Sequence, residues 1–163
     1  MYLTYLKRIP IGKRKGVITT TAIPANVPIC EIKGDVLTID KLSTIDKPED
    51  ALQVGPDVYL GPTGQITDHI RHSCNPNCMI HTVGNRTILY SMYVIKANSE
   101  VTFDYSTSST EGLDSWKMEC NCGSFNCRKI ISGFYNLEDK LQEEYKIKGI
   151  AALFIREPIF LRK

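Results

Sequence analysis

Apolar positions along the 163-residue chain fall in short alternating or continuous runs, punctuated by Gly, Pro, Asn and Asp. Runs of that length predict strands and turns rather than long helices. GVITTTAI (16–23) is rich in β-branched residues and predicts a strand. PICEIKGDVLTI (28–39) predicts two short strands with Gly34-Asp35 between them, and KLSTIDKPED (41–50) a polar loop with one helical turn. ALQVGPDVYLGP (51–62) predicts two strand fragments broken at Gly55-Pro56. CMIHTVGNRTILYSMYVI (78–95) predicts a hairpin turning at Gly84-Asn85. In SEVTFDY (99–105), Val101, Phe103 and Tyr105 alternate, which places them on one face of a strand. STSSTEGLDSWKME (106–119) reads as a polar loop. Only NLEDKLQEEYKIKG (136–149) carries a helical period, with Leu137, Leu141 and Tyr145 four apart, Asn136 as N-cap and Gly149 as terminator. The apolar tail IAALFIREPIFLRK (150–163) is expected to pack back on the body.

Strands that do not alternate with long helices exclude a doubly wound α/β fold. Neither a G-x-G-x-x-G after a strand nor a P-loop occurs. The length suits one domain with its own core. Apolar residues make up 42% and charged residues 23%, as in ordinary globular chains. A net charge of +2 argues against a surface built around nucleic-acid phosphates. Lys13-Arg14-Lys15, the densest basic cluster, reads as a solvated loop. MYLTYLKRIPIGKRKG lacks the sustained apolar region of a secretory signal, and no stretch approaches a membrane span. An intracellular, reducing location is therefore expected, where six cysteines point to metal binding or buried thiols rather than disulfides.

Three of those cysteines, Cys120, Cys122 and Cys127, form a C-x-C-x4-C pattern in CNCGSFNC (120–127), one ligand short of a closed tetrahedral zinc site. The remaining ligand could come from Cys74, Cys78, His72 or Cys30, and spacing does not choose among them.

HSCNPN (72–77), SEVTFDY (99–105) and CNCGSFNCR (120–128) occur in the order seen in SET-domain lysine methyltransferases. The family pattern reads N-H-S-C-x-P-N, then G-E-E-L-T-F-D-Y, then a post-SET C-x-C-x4-C. KGVITT (15–20) resembles its first glycine motif, and CEIKGDVL (30–37) resembles its E-Y-x-G-E strand. The resemblance spans about residues 12 to 133. It implies a mostly β SET fold, β-clip-like, in which small curved sheets surround a knot-like core where RHSCNPN and VTFDY thread together. It also implies a division into a SET domain (1–118), a post-SET zinc-binding segment (119–133) and a C-terminal helix and tail (134–163).

The same resemblance implies a protein-lysine N-methyltransferase using S-adenosylmethionine and a structural Zn2+. Cys74 would join Cys120, Cys122 and Cys127 as metal ligands, leaving Cys30 and Cys78 as buried thiols. Tyr105 would orient the lysine amine, Phe103 would form the channel wall that limits methylation, and Tyr59 is a further channel candidate. Phenylalanine at that wall implies di- or trimethylation. Lys15, Gly16 and Val17 (mainly through backbone groups), Arg71, His72, Ile130 and Ile131 would line the cofactor pocket. Asp104 is expected to be a structural hydrogen-bonding residue. Arg71 departs from the family asparagine, and its charge would suit the cofactor carboxylate while opposing its ammonium and sulfonium. The expected partner is a protein or peptide presenting lysine, such as a histone or another DNA-packaging protein, with neither direct nucleic-acid binding nor a membrane. The competing readings are a catalytically weak SET-like module that binds a lysine-bearing partner, and a zinc-stabilised nucleic-acid-binding domain.

Overall fold

The computed structural model describes residues 2–111 and 116–157. The chain opens on a hairpin, β1 (Leu6–Ile11) and β2 (Arg14–Thr19), turning at Gly12, whose φ of 60° suits a residue without Cβ. The expected strand at 16–23 is thus shifted towards the N-terminus, because the hairpin register pairs Arg14 with Ile11 and Leu6 with Thr19. Arg14 and Lys15 belong to that strand rather than to a loop, with their side chains exposed. Ile23 instead bridges Ile95 and is fully buried.

β3 (Pro28–Ile32) and β4 (Val36–Thr38) are the two short strands expected around Gly34-Asp35. One turn of helix, α1 (Ile39–Leu42), precedes β5 (Leu52–Gly55) and β6 (Val58–Leu60), and the three short strands form a sheet ordered β4-β6-β5. A second sheet has five strands. Its antiparallel part is β3 beside the hairpin β8 (Cys78–Val83) and β9 (Arg86–Ser91), which turns at Gly84-Asn85 as expected. Its parallel part is β7 (Arg71–His72) and β10 (Thr102–Phe103), giving the order β3-β9-β8-β10-β7. The two segments expected to thread together, RHSCNPN and VTFDY, therefore lie side by side, Phe103 paired with His72 on one flank and with Cys78 on the other.

That crowding corrects the alternation expected along 99–105. Val101, Thr102, Phe103 and Asp104 are all buried, so the segment has no solvent face, and regular strand lasts only two residues. Tyr105 starts a 3-10 turn, Tyr105–Ser108, rather than continuing the strand. The expected polar loop after it is also corrected in part. Ser106, Thr107 and Ser108 are buried, each hydroxyl accounted for by a backbone carbonyl: Ser132, Asp104 and Tyr105 respectively.

Beyond it, β11 (Lys117–Glu119) pairs with β12 (Ile130–Ser132), and the cysteine segment is the loop between them. Helix α2 (Asp139–Ile147) is shorter than expected. Asn136 lies in a preceding 3-10 turn, and the N-cap position is Glu138, without a side-chain capping bond. Its end is the expected one: Gly149 has φ +69°, its N–H bonds the Lys146 carbonyl, and the Ile150 N–H bonds the Tyr145 carbonyl at 2.9 Å. Helix α3 (Leu153–Arg156) follows, and the tail packs as expected up to residue 157, with Ala151, Ala152 and Ile155 buried; the rest of the tail lies outside the described residues. Leu137, Tyr145 and Ile155 form with Phe134 a second apolar cluster, packed against Met79 and Met92 of the hairpin region. Among the described residues, no helix is long and apolar enough to cross a membrane.

Candidate active site and thiol cluster

Two cavities meet beside the threaded segments. The smaller, about 140 Å³, is lined by Tyr59, Ile70, Phe103, Tyr105 and Trp116 among others. The larger is an open cleft of about 1210 Å³ that takes in Lys15, Arg71, His72, the Cys120–Cys122 stretch and Ile131. Tyr105 and Trp116 line both, so they stand at the junction.

Parallel pairing of β7 with β10 positions the junction: Ile70 immediately precedes one strand and Tyr105 follows the other, so the Tyr105 side chain reaches back along the pair. The Tyr105 hydroxyl donates to the Ile70 carbonyl at 2.9 Å. Its ring lies 4.9 Å from that of Phe103 and edge-on to His72 at 5.4 Å. Burial pushes the Tyr105 phenol up to about 12, so it stays neutral across the physiological range. Tyr59 is also pushed up to about 12, by burial and then by the neighbouring Glu111 carboxylate, whose Oε1 is 3.5 Å from its hydroxyl. The structure thus brings Tyr59, Phe103 and Tyr105 to one small cavity.

The residues expected around a cofactor divide. Lys15, Arg71, His72 and Ile131 line the cleft. Val17 does not reach it: its side chain is fully buried in the main core and its carbonyl accepts the Val101 N–H. Gly16 is buried beneath the cleft wall, where a Cβ would meet Glu100 Oε1 at 2.9 Å. Ile130 does not line the cleft. Successive strand residues face opposite sides, and Ile130 is 54% exposed on the far side from Ile131. Arg71 is held by Glu100 in a two-bond fork, Nε to Oε1 at 2.6 Å and Nη2 to Oε2 at 2.9 Å, which neutralises the guanidinium where it borders the cleft.

The thiols converge from two directions. His72, Cys74, Cys120 and Cys122 place one ligand atom each within 4.8 Å of one another. Cys74 Sγ and Cys120 Sγ are 3.8 Å apart. Two sulfurs sharing a zinc at tetrahedral geometry stand about 3.8 Å apart, so this pair fits the metal without rearrangement. The cluster already carries donors suited to thiolates: the Cys74 N–H points at Cys122 Sγ, and the Arg128 N–H at Cys74 Sγ. Against burial, which raises it, the Cys74 amide and Ser124 lower the Cys122 thiol to about 6. Cys127 differs from expectation in that its sulfur lies outside the tight group, 3.4 Å from the Cys120 carbonyl oxygen. His72 sits inside it, with burial pushing its imidazole down to about 4 against the opposing influence of Asp104. Cys30 and Cys78 are fully buried elsewhere in the main core, and burial raises both thiols.

Residues that motif reading passed over complete the site. Trp116, the only tryptophan, closes the junction. Asp104 is indeed a hydrogen-bonding hub, with an environment no spacing announced. It receives Arg128 at 2.6 and 2.7 Å, the Tyr145 hydroxyl at 3.0 Å and the Ser106 N–H at 3.0 Å. Against burial, which lowers it, the Asp104 carboxylate holds the Arg128 guanidinium firmly charged. One buried carboxylate thus joins the threaded core to the cysteine segment and to α2.

Known proteins are similar to this chain in sequence and fold. The chain is 26% identical over 148 residues to the histone-lysine N-methyltransferase Su(var)3-9 of Drosophila melanogaster, a match covering 74% of this chain and 23% of that one. It is 36% identical over 73 residues to human histone-lysine N-methyltransferase SETD1B, covering 42% and 4% respectively. The chain thus spans about a quarter or less of these relatives. Among solved structures, KRYPTONITE in complex with mCHG DNA and SAH superposes with a TM-score of 0.63 at 28% identity, covering 78% of this chain and 29% of that one. Arabidopsis thaliana SUVH6 in complex with SAM shares the fold, with a TM-score of 0.67 at 20% identity, covering 78% and 33%. The SET domain family pattern matches residues 14–106, the stretch that supplies the second strand of the first hairpin, the threaded strands and Tyr105. With more than half of its length under that pattern, and the fold to match, the chain belongs to the SET-domain family.

Proposed function

We propose that this chain is an S-adenosylmethionine-dependent protein-lysine N-methyltransferase. The observation that carries the reading is the meeting of a small cavity, with Tyr59, Phe103, Tyr105 and Trp116 in its lining, and a large cleft that shares Tyr105 and Trp116 with it. Methyl transfer to an amine is an in-line displacement, so donor and acceptor must reach one point from two sides. Positioning of that kind supplies much of the rate. Su(var)3-9 is a histone-lysine N-methyltransferase by name, and KRYPTONITE has been solved with SAH and an H3(1–15) peptide. Both support a lysine-bearing peptide, with a histone tail as the leading candidate. The DNA in one of those structures belongs to a chain of which this one covers 29%.

S-adenosylmethionine supplies an activated methyl group, so no strong acid is required of the protein. This chain's residues supply a neutral amine and its orientation. Free lysine titrates near 10.4, and an apolar channel disfavours its charged form. Tyr59, Phe103 and Tyr105 provide the apolar part of the lining, alongside carboxylates such as Asp50 and Glu111. Because the Tyr105 proton is donated to Ile70, its phenolic oxygen remains an acceptor for an amine N–H. Phe103 offers no hydroxyl to hold the amine against rotation, which favours di- or trimethylation. The cofactor would occupy the cleft bordered by Lys15, Arg71, His72 and Ile131. Cys74, Cys120 and Cys122 would hold a structural Zn2+ together with Cys127, whose sulfur would leave the Cys120 carbonyl to join them, and the metal would tie residues 119–133 to the wall of that cleft. The departure at Arg71 is what favours a binding-only module, and the Glu100 fork weakens that case by neutralising the charge the departure introduces.

The test is time-resolved mass spectrometry of a lysine peptide with excess cofactor. The wild type should pass beyond monomethyl-lysine, Phe103→Tyr should accumulate it, and Tyr105→Phe should slow every round by about 10²-fold or more. Tyr105→Phe at full rate would remove Tyr105 from the mechanism. A wild type that stops at one methyl would overturn the role given to Phe103.

A further inference from the structure

The two ring nitrogens of His72 face different kinds of neighbour. The Tyr105 backbone N–H donates to Nδ1 at 3.2 Å. An amide nitrogen only donates, so Nδ1 carries the lone pair and the proton of a neutral imidazole sits on Nε2. Nε2 lies 3.2 Å from Cys74 Sγ, a contact suited to an N–H···S hydrogen bond. A histidine that ligates zinc shows the opposite pattern, with metal on one nitrogen and a donated N–H on the other. The carboxylate nearest Nδ1, Asp104 Oδ1 at 3.4 Å, does not require a proton from it. Asp104 already accepts from Ser106, from both ends of the Arg128 guanidinium and from Tyr145.

One rigid ring, its side chain 4% exposed, therefore spans the distance from a cluster thiol to the backbone of Tyr105. That backbone carries the phenol at the junction of the two cavities. We propose that His72 is not a metal ligand but a positioning residue that couples the metal centre to Tyr105. Its Nε2–H donates to the Cys74 thiolate, and its Nδ1 fixes the Tyr105 amide. Fixing the Cys74 sulfur in a metal centre would fix the Nε2 end of the ring and, through the ring, the Tyr105 amide. Only the turnover arm of the test rests on the methyl-transfer reading above.

Substitution separates the two halves of the ring. In His72→Gln the side-chain amide reaches the Nε2 position, keeping a donor for Cys74 and losing the acceptor for Tyr105. In His72→Asn the amide oxygen sits near the Nδ1 position, keeping Tyr105 and losing the donor to Cys74. Full-length protein loaded with zinc, or with cobalt(II) as a spectroscopic substitute, is the material. His72→Gln should keep the wild-type thiolate-to-cobalt band and its resistance to a chelator, with kcat reduced more than cofactor KM is raised. His72→Asn should shift that band and lose metal roughly 10–100-fold more readily, with the smaller fall in kcat at saturating metal. Identical profiles for the two variants, or wild-type metal behaviour in His72→Asn, would overturn the proposal. Nitrogen-15 NMR of the zinc-loaded wild type needs no substitution. The Nε2–H tautomer is expected, and an Nδ1–H tautomer with metal on Nε2 would defeat the idea. A wild type inactive towards lysine peptides would leave the metal and NMR arms standing, so failure of the catalytic reading would be told apart from failure of this one.

Discussion

The five-stranded sheet and the cysteine segment lie against each other but are held by different forces. Thirteen buried residues, almost all aliphatic, form the core on which the sheet packs, and backbone ladders tie its strands. At roughly 1.5–3 kcal/mol for each large apolar side chain, that core is self-sufficient. Among the described residues, the cluster beneath the cysteine segment has three buried members, Cys74, Cys120 and Ile131, with Trp116 and Met118 partly buried against them. So small a set does not order a loop of that length against its conformational entropy. What orders it is a set of thiols gathered at metal-binding distances and one buried ion pair. The segment also forms a wall of the cleft through Cys120, Cys122 and Ile131. The part of the molecule that closes the site is thus the part whose order is conditional.

Metal removal should break the comparison most sharply. Apparent free energies for structural zinc reach about 10–16 kcal/mol in small peptides, far more than this segment's apolar burial supplies. In Cys120→Ser, or after chelation, hydrogen exchange should show residues 117–132 losing protection, the Cys120 and Ile131 amides first. The ladder between β8 and β9 should keep its protection. Cofactor affinity should fall with the segment. If both regions lose protection together, the cysteine segment is not an independent unit, and the contrast drawn above is wrong.

Next in size is the Asp104–Arg128 pair. Asp104 is fully buried and the Arg128 side chain 19% exposed, with N–O distances of 2.6 and 2.7 Å. Removing one partner of such a pair leaves a buried charge, at a cost of about 3–5 kcal/mol. Arg128→Met should therefore lower urea-unfolding stability by that order. Unlike metal loss, it should also loosen α2, because Tyr145 shares the carboxylate. The double variant Asp104→Asn, Arg128→Met should recover part of the loss. An Arg128→Met protein within about 1 kcal/mol of wild type would show that water already screens the pair.

The contrast between the two regions also explains what could be read from the sequence. Strand pairing in the hairpin at 84–85 is local, and its alternation and turn residues announce it. The thiols were visible as a group because few residue types bind zinc. Contacts that depend on parallel threading had no local signal. Phe103 meets His72 and Cys78 only because two distant segments run side by side, and this burial on both faces erased the expected alternation around Val101 and Tyr105. Asp104, Arg128 and Tyr145 come from three elements with no shared period, and Trp116 stands in a polar stretch. Asn136 looked like a cap because capping residues are recognised by type, whereas the preceding 3-10 turn moved the helix start to Asp139. Ile130 and Ile131 looked alike until strand pairing turned one outward.

The smallest expected effect concerns Arg71, which belongs to the self-sufficient sheet yet borders the conditional cleft. Its guanidinium and the Glu100 carboxylate are each about a quarter to a third exposed, so their pairing contributes modestly to stability. Its consequence is for charge at the cleft wall. In Arg71→Asn, Glu100 keeps its carboxylate and loses its partner. S-adenosylmethionine carries a sulfonium that its demethylated product lacks. A freed carboxylate therefore favours the donor over the product, by about two- to fivefold for an interaction of roughly 0.5–1 kcal/mol in a partly exposed site. Calorimetry with both ligands should show the donor's affinity rising relative to the product's in Arg71→Asn, and that preference vanishing in the double variant Arg71→Asn, Glu100→Gln. Equal shifts for both ligands would mean that Arg71 acts on the shape of the cleft and not on its charge. A fall in the affinity for both, unrelieved by the second substitution, would place the guanidinium on the carboxylate that the two ligands share.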